Sequence, residues 1–218
     1  MLIRRNLYER REPVKDATLF LIFCEGSHTE PKYFGYFNEI NSQVRIIPVP
    51  ADSQGNNSPI GLYESAVKTV LPSEENPHPK FQLIETDQLW FVVDTDQWGQ
   101  KLVELREKCN KHSNWNVAQS NPCFEVWLYF HTKNDVPNFN GVNESVNWKK
   151  NLNEIITGGF DFRKHPIFIK QAINNSKANF IVDGGEMVVP YTEVFKLAEG
   201  FYPIISSDIE KALVRLYG

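Results

Sequence analysis

The chain has 218 residues, 41% hydrophobic and 23% charged, with a net charge of −4, which describes a globular protein with a substantial core and excludes a disordered chain. Three cysteines without a CxxC pair exclude a disulfide framework and a zinc ribbon, and Cys24 and Cys123, in apolar runs, read as buried small hydrophobes. The N-terminal MLIRRNLYERR lacks the apolar run of a signal peptide and no stretch approaches membrane-spanning length, so the expected compartment is cytoplasmic, with no membrane partner.

Charge is unevenly distributed. Residues 1–16 carry five basic and three acidic side chains, residues 17–135 nine and fifteen, and residues 136–218 nine of each. A nucleic-acid binder built on a broad basic surface has a different balance. An acidic core beside a basic arm suits a metal-filled site that receives a polyanion, and a solvated acidic surface gives the same counts.

After the arm, residues 19–24 form an unbroken apolar run that suits a strand covered on both faces. It ends at Glu25-Gly26, a carboxylate beside a residue able to take positive φ. A helix follows over 32–43, with Tyr33, Phe34, Phe37 and Ile40 on one face. Thr29 as N-cap places Pro31 near the helix start, and Ser27 with Glu30 forms the alternative capping box. Residues 44–49 read as a second strand, 59–71 as a helix capped by Ser58, and 72–87 as a Pro- and Glu-rich surface excursion. A third strand over 89–93 runs into Asp94-Thr95-Asp96, a helix spans 101–111, and a short strand covers 115–118. Asn121-Pro122 then signals a helix start.

This alternation predicts an α/β fold with a mostly parallel sheet flanked by helices. From about residue 136 the pattern changes to helical segments near 148–156, 166–177, 191–198 and 208–216, with no strand of buried type. The expected organisation is a basic arm over 1–16, an α/β core over 17–135 and a helical C-terminal extension over 136–218.

The candidate chemistry lies at strand ends, where open α/β sheets place their ligands. Asp94 and Asp96, two apart in extended backbone, project to the same side and converge on one cation. With Glu25 they make three carboxylates that repel one another, a repulsion that Mg²⁺ or Mn²⁺ resolves. Such a site favours phosphoryl transfer, and Glu25, alone on its strand, is the candidate general base or acid. Glu125 lies in CFEVWLYF, where every other residue is apolar, so its carboxylate needs a cation, a donor or a proton. Either the site or a structural ion pair supplies it. His28 and the arm residues Arg4, Arg5, Arg10 and Arg11 are candidate phosphate contacts.

The stretches EGSHTEPKYF, VVDTDQW and SNPCFEVWLYFHT, in this order and spacing, resemble the signatures of the RloB family. That family is similar to TOPRIM-domain proteins, whose pattern is a Glu after the first strand and a DxD after a later one. Glu25, Asp94 and Asp96 match that pattern, Thr29-Glu30-Pro31 matches the family's T-E-P, and Ser120 to Glu125 matches its S-N-P-x-F-E. The resemblance covers residues 17–135, with only Pro190-Tyr191-Thr192 echoed in the tail. It implies a TOPRIM-like (Rossmannoid) sheet and a Mg²⁺- or Mn²⁺-dependent nuclease acting on DNA or RNA in bacterial anti-phage defence. Glu25, Asp94 and Asp96 would then hold metal, and Glu25, Glu30 and Glu125 serve catalysis. The characteristic downstream basic residue of TOPRIM nucleases has no clear counterpart, His131 and Lys133 being its candidate substitutes. A second expectation is a non-catalytic component of a defence complex, binding nucleic acid or a partner protein through the same acidic site. A receiver-like phosphatase would need a strand-end lysine, which the sequence lacks.

Overall fold

The apolar run after the arm forms β1 (Thr18–Cys24), and its alternation divides the molecule. Phe20, Ile22 and Cys24 face one hydrophobic cluster, and Leu19, Leu21 and Phe23 face another. Both faces are therefore covered, as a strand apolar at every position requires. The computed structural model describes residues 17–51, 57–95, 98–139, 144–184 and 186–217. Within them, β1 is followed by α1 (Thr29–Gly35), β2 (Val44–Val49), α2 (Pro59–Val70), β3 (Gln88–Asp94), α3 (Gly99–Cys109) and β4 (Trp115–Asn121). Then come α4 (Glu125–Tyr129), α5 (Ser145–Ile155), a 3₁₀ turn at His165–Phe168, α6 (Ile169–Ala178), a small β5–β6 hairpin (Val182–Asp183 and Glu186–Met187), β7 (Tyr191–Thr192) and α7 (Val194–Tyr217).

The main sheet has the order β2-β1-β3-β4-β7. The first four strands are parallel, with Phe20 opposite Ile46, Phe23 opposite Phe91 and Asp94 opposite Ser120. The short β7 closes the edge antiparallel to β4. Residues of α2 and α3 pack on the Leu19 face, and residues of α1, α4, α5, α6 and α7 pack on the Phe20 face. Because the chain steps from β1 to β2 and then back across to β3, strand order reverses between β1 and β3. That reversal is the topological switch point of an open α/β sheet.

Four local expectations are revised. The first helix begins at Thr29 after His28, whose side chain makes no cap bond, and it ends at Gly35 instead of near residue 43. Its continuation is a pair of looser turns, with Tyr36 and Phe37 amides donating to Tyr33 and Phe34, and Glu39 at φ 68° turns the chain toward β2. Asn121 closes β4 instead of capping a helix, the peptide to Pro122 is cis, and α4 begins at Glu125. The tail does supply a sheet strand, β7, which at two residues is too short to leave a period-2 pattern. Finally, α7 is one 24-residue helix running through Gly200 and Pro203. The glycine suits the close packing here: a Cβ at Gly200 would lie 3.0 Å from Phe20 Cε1, so any side chain would press the ring aside by a few tenths of an ångström. Among the described residues, no helix is long and apolar enough to cross a membrane.

Candidate active site

Glu25 follows β1 directly, and its amide extends the ladder by donating to Val92 O at 3.0 Å. Its side chain then crosses to the end of β3. Oε2 accepts from the Asp94 amide at 2.9 Å, and Oε1 accepts from the Trp98 indole at 2.8 Å. The Glu25 side chain thus ties the ends of two adjacent parallel strands together at the switch point, at the carboxyl end of the sheet. Lys101 Nζ lies 4.8 Å over the Trp98 ring, fixing the indole from its other face.

The segment after Asp94 is tied to β4. Thr95 N donates to Ser120 O at 2.8 Å, its hydroxyl donates to the same carbonyl at 3.1 Å, and Gln119 Nε2 donates to Thr95 Oγ1 at 2.9 Å. Gln119 is held in turn by Arg106, whose guanidinium also pairs with the buried Glu193. Burial pushes the Glu193 carboxyl up, but Arg106 and Lys196 outweigh it and hold the group below its usual pKa. Asp96 lies outside the described residues.

Glu30 sits on the first turn of α1 with only 6% of its surface exposed. Its Oε1 accepts from the Gly26 amide at 3.3 Å. Gly26 is not among the positive-φ residues, so its backbone conformation is not why glycine stands here. The reason is proximity: a Cβ at position 26 would lie 2.1 Å from Glu30 Oε2. Burial, and then the charges of Glu125 and Glu25, push the Glu30 carboxyl up to about 7. It therefore holds or releases a proton near neutral pH.

Glu125 opens α4 with a side chain 14% exposed, and Lys149 Nζ stands 3.9 Å from its Oε1. The lysine is 60% exposed, so this is a solvated pair of small worth. The same carboxylate faces inward electrostatically. After burial, the charges of Glu125 and Asp94 are what push the Cys123 thiol up, and Glu125 acts on Glu30 as well. Glu125 thus has a loose lysine on one side and acts by its charge on Glu30 and Cys123 on the other. Cys24, Cys109 and Cys123 are all free and buried.

Other candidates stand apart. His28 is exposed and shares a 2.6 Å hydrogen bond with the Ser27 hydroxyl. Arg4, Arg5, Arg10 and Arg11 lie outside the described residues. His131 is buried between the Tyr33 hydroxyl at 3.0 Å and the Trp127 carbonyl at 3.1 Å. Burial lowers its pKa to about 3, so it is a neutral core residue, not a phosphate-binding substitute. Lys133 is exposed past α4.

Among the described residues, no three His, Cys, Asp or Glu side chains are arranged to hold a metal ion. Glu25, Asp94, Glu30 and Glu125 offer carboxylate oxygens, the donor type that a hard divalent cation takes, and after burial the charges of Glu125 and Glu25 raise the Glu30 carboxyl. The sequence reading gave no role to Trp98 and missed the Arg106–Gln119–Glu193 support. Only the indole's place two residues after the DTD hinted at its role.

A family model described as RloB-like protein matches residues 20–200, reaching well past residue 135 and into α7. No curated protein and no solved structure matches the chain. The matched span takes in Glu25, Glu30, Asp94, Asp96 and Glu125, and the chain belongs to the RloB-like protein family.

Proposed function

We propose that this chain is a Mg²⁺- or Mn²⁺-dependent nuclease of TOPRIM type, hydrolysing phosphodiester bonds of DNA or RNA in the cytoplasm as part of anti-phage defence. One observation carries the reading. The Glu25 carboxylate holds the Asp94 amide at the switch point, and Glu30 is held at about 7 by burial and then by the charges of Glu125 and Glu25. A carboxyl pushed up by its neighbours marks a place short of positive charge, which a divalent cation supplies.

In this reading Glu25, Asp94 and Asp96 would hold the ion, whose chemistry would be to neutralise charge on the attacking and leaving oxygens. Glu30 carries the proton, since its pKa near 7 suits a group that takes a proton from the attacking water and returns one to the leaving oxygen. One P–O bond forms as the other breaks, so no further reactant is needed. Glu25, with both oxygens engaged by N–H donors, orients the end of β3 and is less suited to proton transfer than Glu30. His28 and the arginines of the arm neutralise substrate phosphates.

The test is cleavage of single- and double-stranded DNA and RNA by purified protein with either ion. Asp94→Asn is expected to abolish cleavage while leaving the unfolding midpoint near that of the native chain. Cleavage that survives this change sinks the assignment.

A second reading, a non-catalytic component that binds nucleic acid or a partner protein of a defence locus, is favoured by the engagement of both Glu25 oxygens by N–H donors. It expects binding that a chelator leaves unchanged and no cleavage of any substrate.

A further inference from the structure

Beside α1 opens a cleft of about 610 Å³, lined by Lys32, Tyr36, Phe160, Asp161, Phe162 and Arg163. Its wall is aromatic and set in advance. The Phe160 and Phe162 rings stand 5.3 Å apart, and Phe160 is backed by His131 at 5.3 Å and His165 at 5.0 Å. Gly158 and Gly159, at φ 88° and 78°, turn the chain from α5 into this wall. Asp161 then locks the turn, accepting from the Arg163 amide at 2.9 Å and from its guanidinium at 3.0 Å on both oxygens. The Asp161 amide donates to His165 Nδ1 at 2.7 Å.

The rim is positive within an acidic protein. Lys32 and Arg163 are exposed, Lys164 stands beside them, and Asp161 is the one acid in the lining. A cleft of this size fits one nucleotide-sized group.

We propose that the cleft receives an unpaired base of a single-stranded nucleic acid, stacked on Phe160 and Phe162, with Lys32 against its phosphate. The inference rests on the nucleic-acid reading above and narrows its substrate to strands with unpaired bases. Aromatic rings accept any base face, and cations at the rim meet the backbone, the combination by which single strands are bound without sequence readout. A base inside a duplex is already stacked and paired and does not enter such a cleft without being flipped out. Lys32 stands two residues after Glu30 on α1, about 3 Å further along the axis and on the opposite, exposed face of the helix.

The experiment is fluorescence anisotropy of the full chain in EDTA, with labelled oligo(dT), oligo(U) and a duplex of equal length, run beside a cleavage assay with Mg²⁺. Phe162→Ala is expected to weaken single-strand binding about tenfold and to leave duplex binding unchanged. Lys32→Ala, at an exposed helix position, is expected to reduce the salt dependence by about one phosphate contact, and Lys32→Glu to weaken binding further. Matching thermal midpoints for the lysine variants exclude misfolding as the cause. Single-strand affinity unchanged in all three variants overturns the cleft assignment and leaves the nuclease reading standing. Equal losses for single strand and duplex overturn the unpaired-base assignment. Thymidine monophosphate competing as well as the oligonucleotide overturns a strand site in favour of a free-nucleotide site. A native chain that neither binds nor cuts nucleic acid overturns both readings together.

Discussion

Trp98 donates its indole N–H to Glu25 at 2.8 Å, joining the end of β1 to the start of α3 across the end of β3. The bond uses one oxygen of a carboxylate whose other oxygen holds the Asp94 amide. Trp98→Phe keeps a ring beneath Lys101 and removes only the donor. It is expected to cost about 1–2 kcal/mol of stability, as loss of a hydrogen bond to a charged group does. It should also raise the Mg²⁺ concentration for half-maximal cleavage, because Glu25 is no longer held. Urea unfolding and a metal titration of activity read the two effects separately.

Glu25→Gln is not a silent isostere in this setting. Both oxygens accept from N–H groups, so the amide nitrogen of glutamine must face a donor whichever way it turns. A loss of about 2 kcal/mol is expected together with loss of cleavage, from a partly buried donor left unsatisfied. A variant with native stability would show that the carboxylate is not held as described.

Glu30 makes stability depend on pH. Its carboxyl is pushed from 4.5 to about 7, so between those values the folded chain keeps a proton that the unfolded chain has released. Stability therefore falls as pH rises through this window, by up to about 3 kcal/mol in the absence of divalent ions. Glu30→Gln, neutral throughout, should flatten that limb and be the more stable chain at pH 8. Parallel limbs for the two proteins, measured by denaturant unfolding in EDTA, would remove Glu30 from this role.

Gly26→Ala tests the close approach directly. The new methyl would stand 2.1 Å from Glu30 Oε2, and the carboxylate, as the end of a flexible side chain, is what yields. Once displaced toward water, Glu30 should titrate nearer an ordinary glutamate. Carboxyl-carbon NMR of the variant should then show that resonance moving with pH well below 7.

His131 governs the acid side. Burial holds its pKa at about 3 against an ordinary 6.5, so as pH falls below 6.5 the unfolded chain gains a proton that the folded one refuses. Stability is lost progressively from pH 6.5 downward. His131→Phe retains the edge contacts with Tyr33 and Trp127, loses about 1–2 kcal/mol at neutral pH from the unpartnered Tyr33 hydroxyl, and should show a shallower acid limb.

The sequence alone determined the layers and the strand ends at which the acids stand. An apolar run from Leu19 to Cys24 with no alternation suits a strand covered on both faces, and acids at two strand ends follow from where such runs stop. Those signals are local, since each is written within a few residues. The tertiary structure decided what each acid touches. Glu25 and Trp98 are 73 positions apart, and nothing near either one encodes that the indole fills a carboxylate oxygen. The support of Gln119 by Arg106 and Glu193 likewise depends on β7 pairing with β4, a two-residue strand whose register comes from the sheet edge and not from its own pattern. Gly26 is the sharpest case: its sequence context suggested a turn conformation, and in the folded chain a side chain there would displace the Glu30 carboxylate, four residues on. Burial and charge proximity exist only once distant segments are brought together, and those two quantities set Glu30 near neutrality.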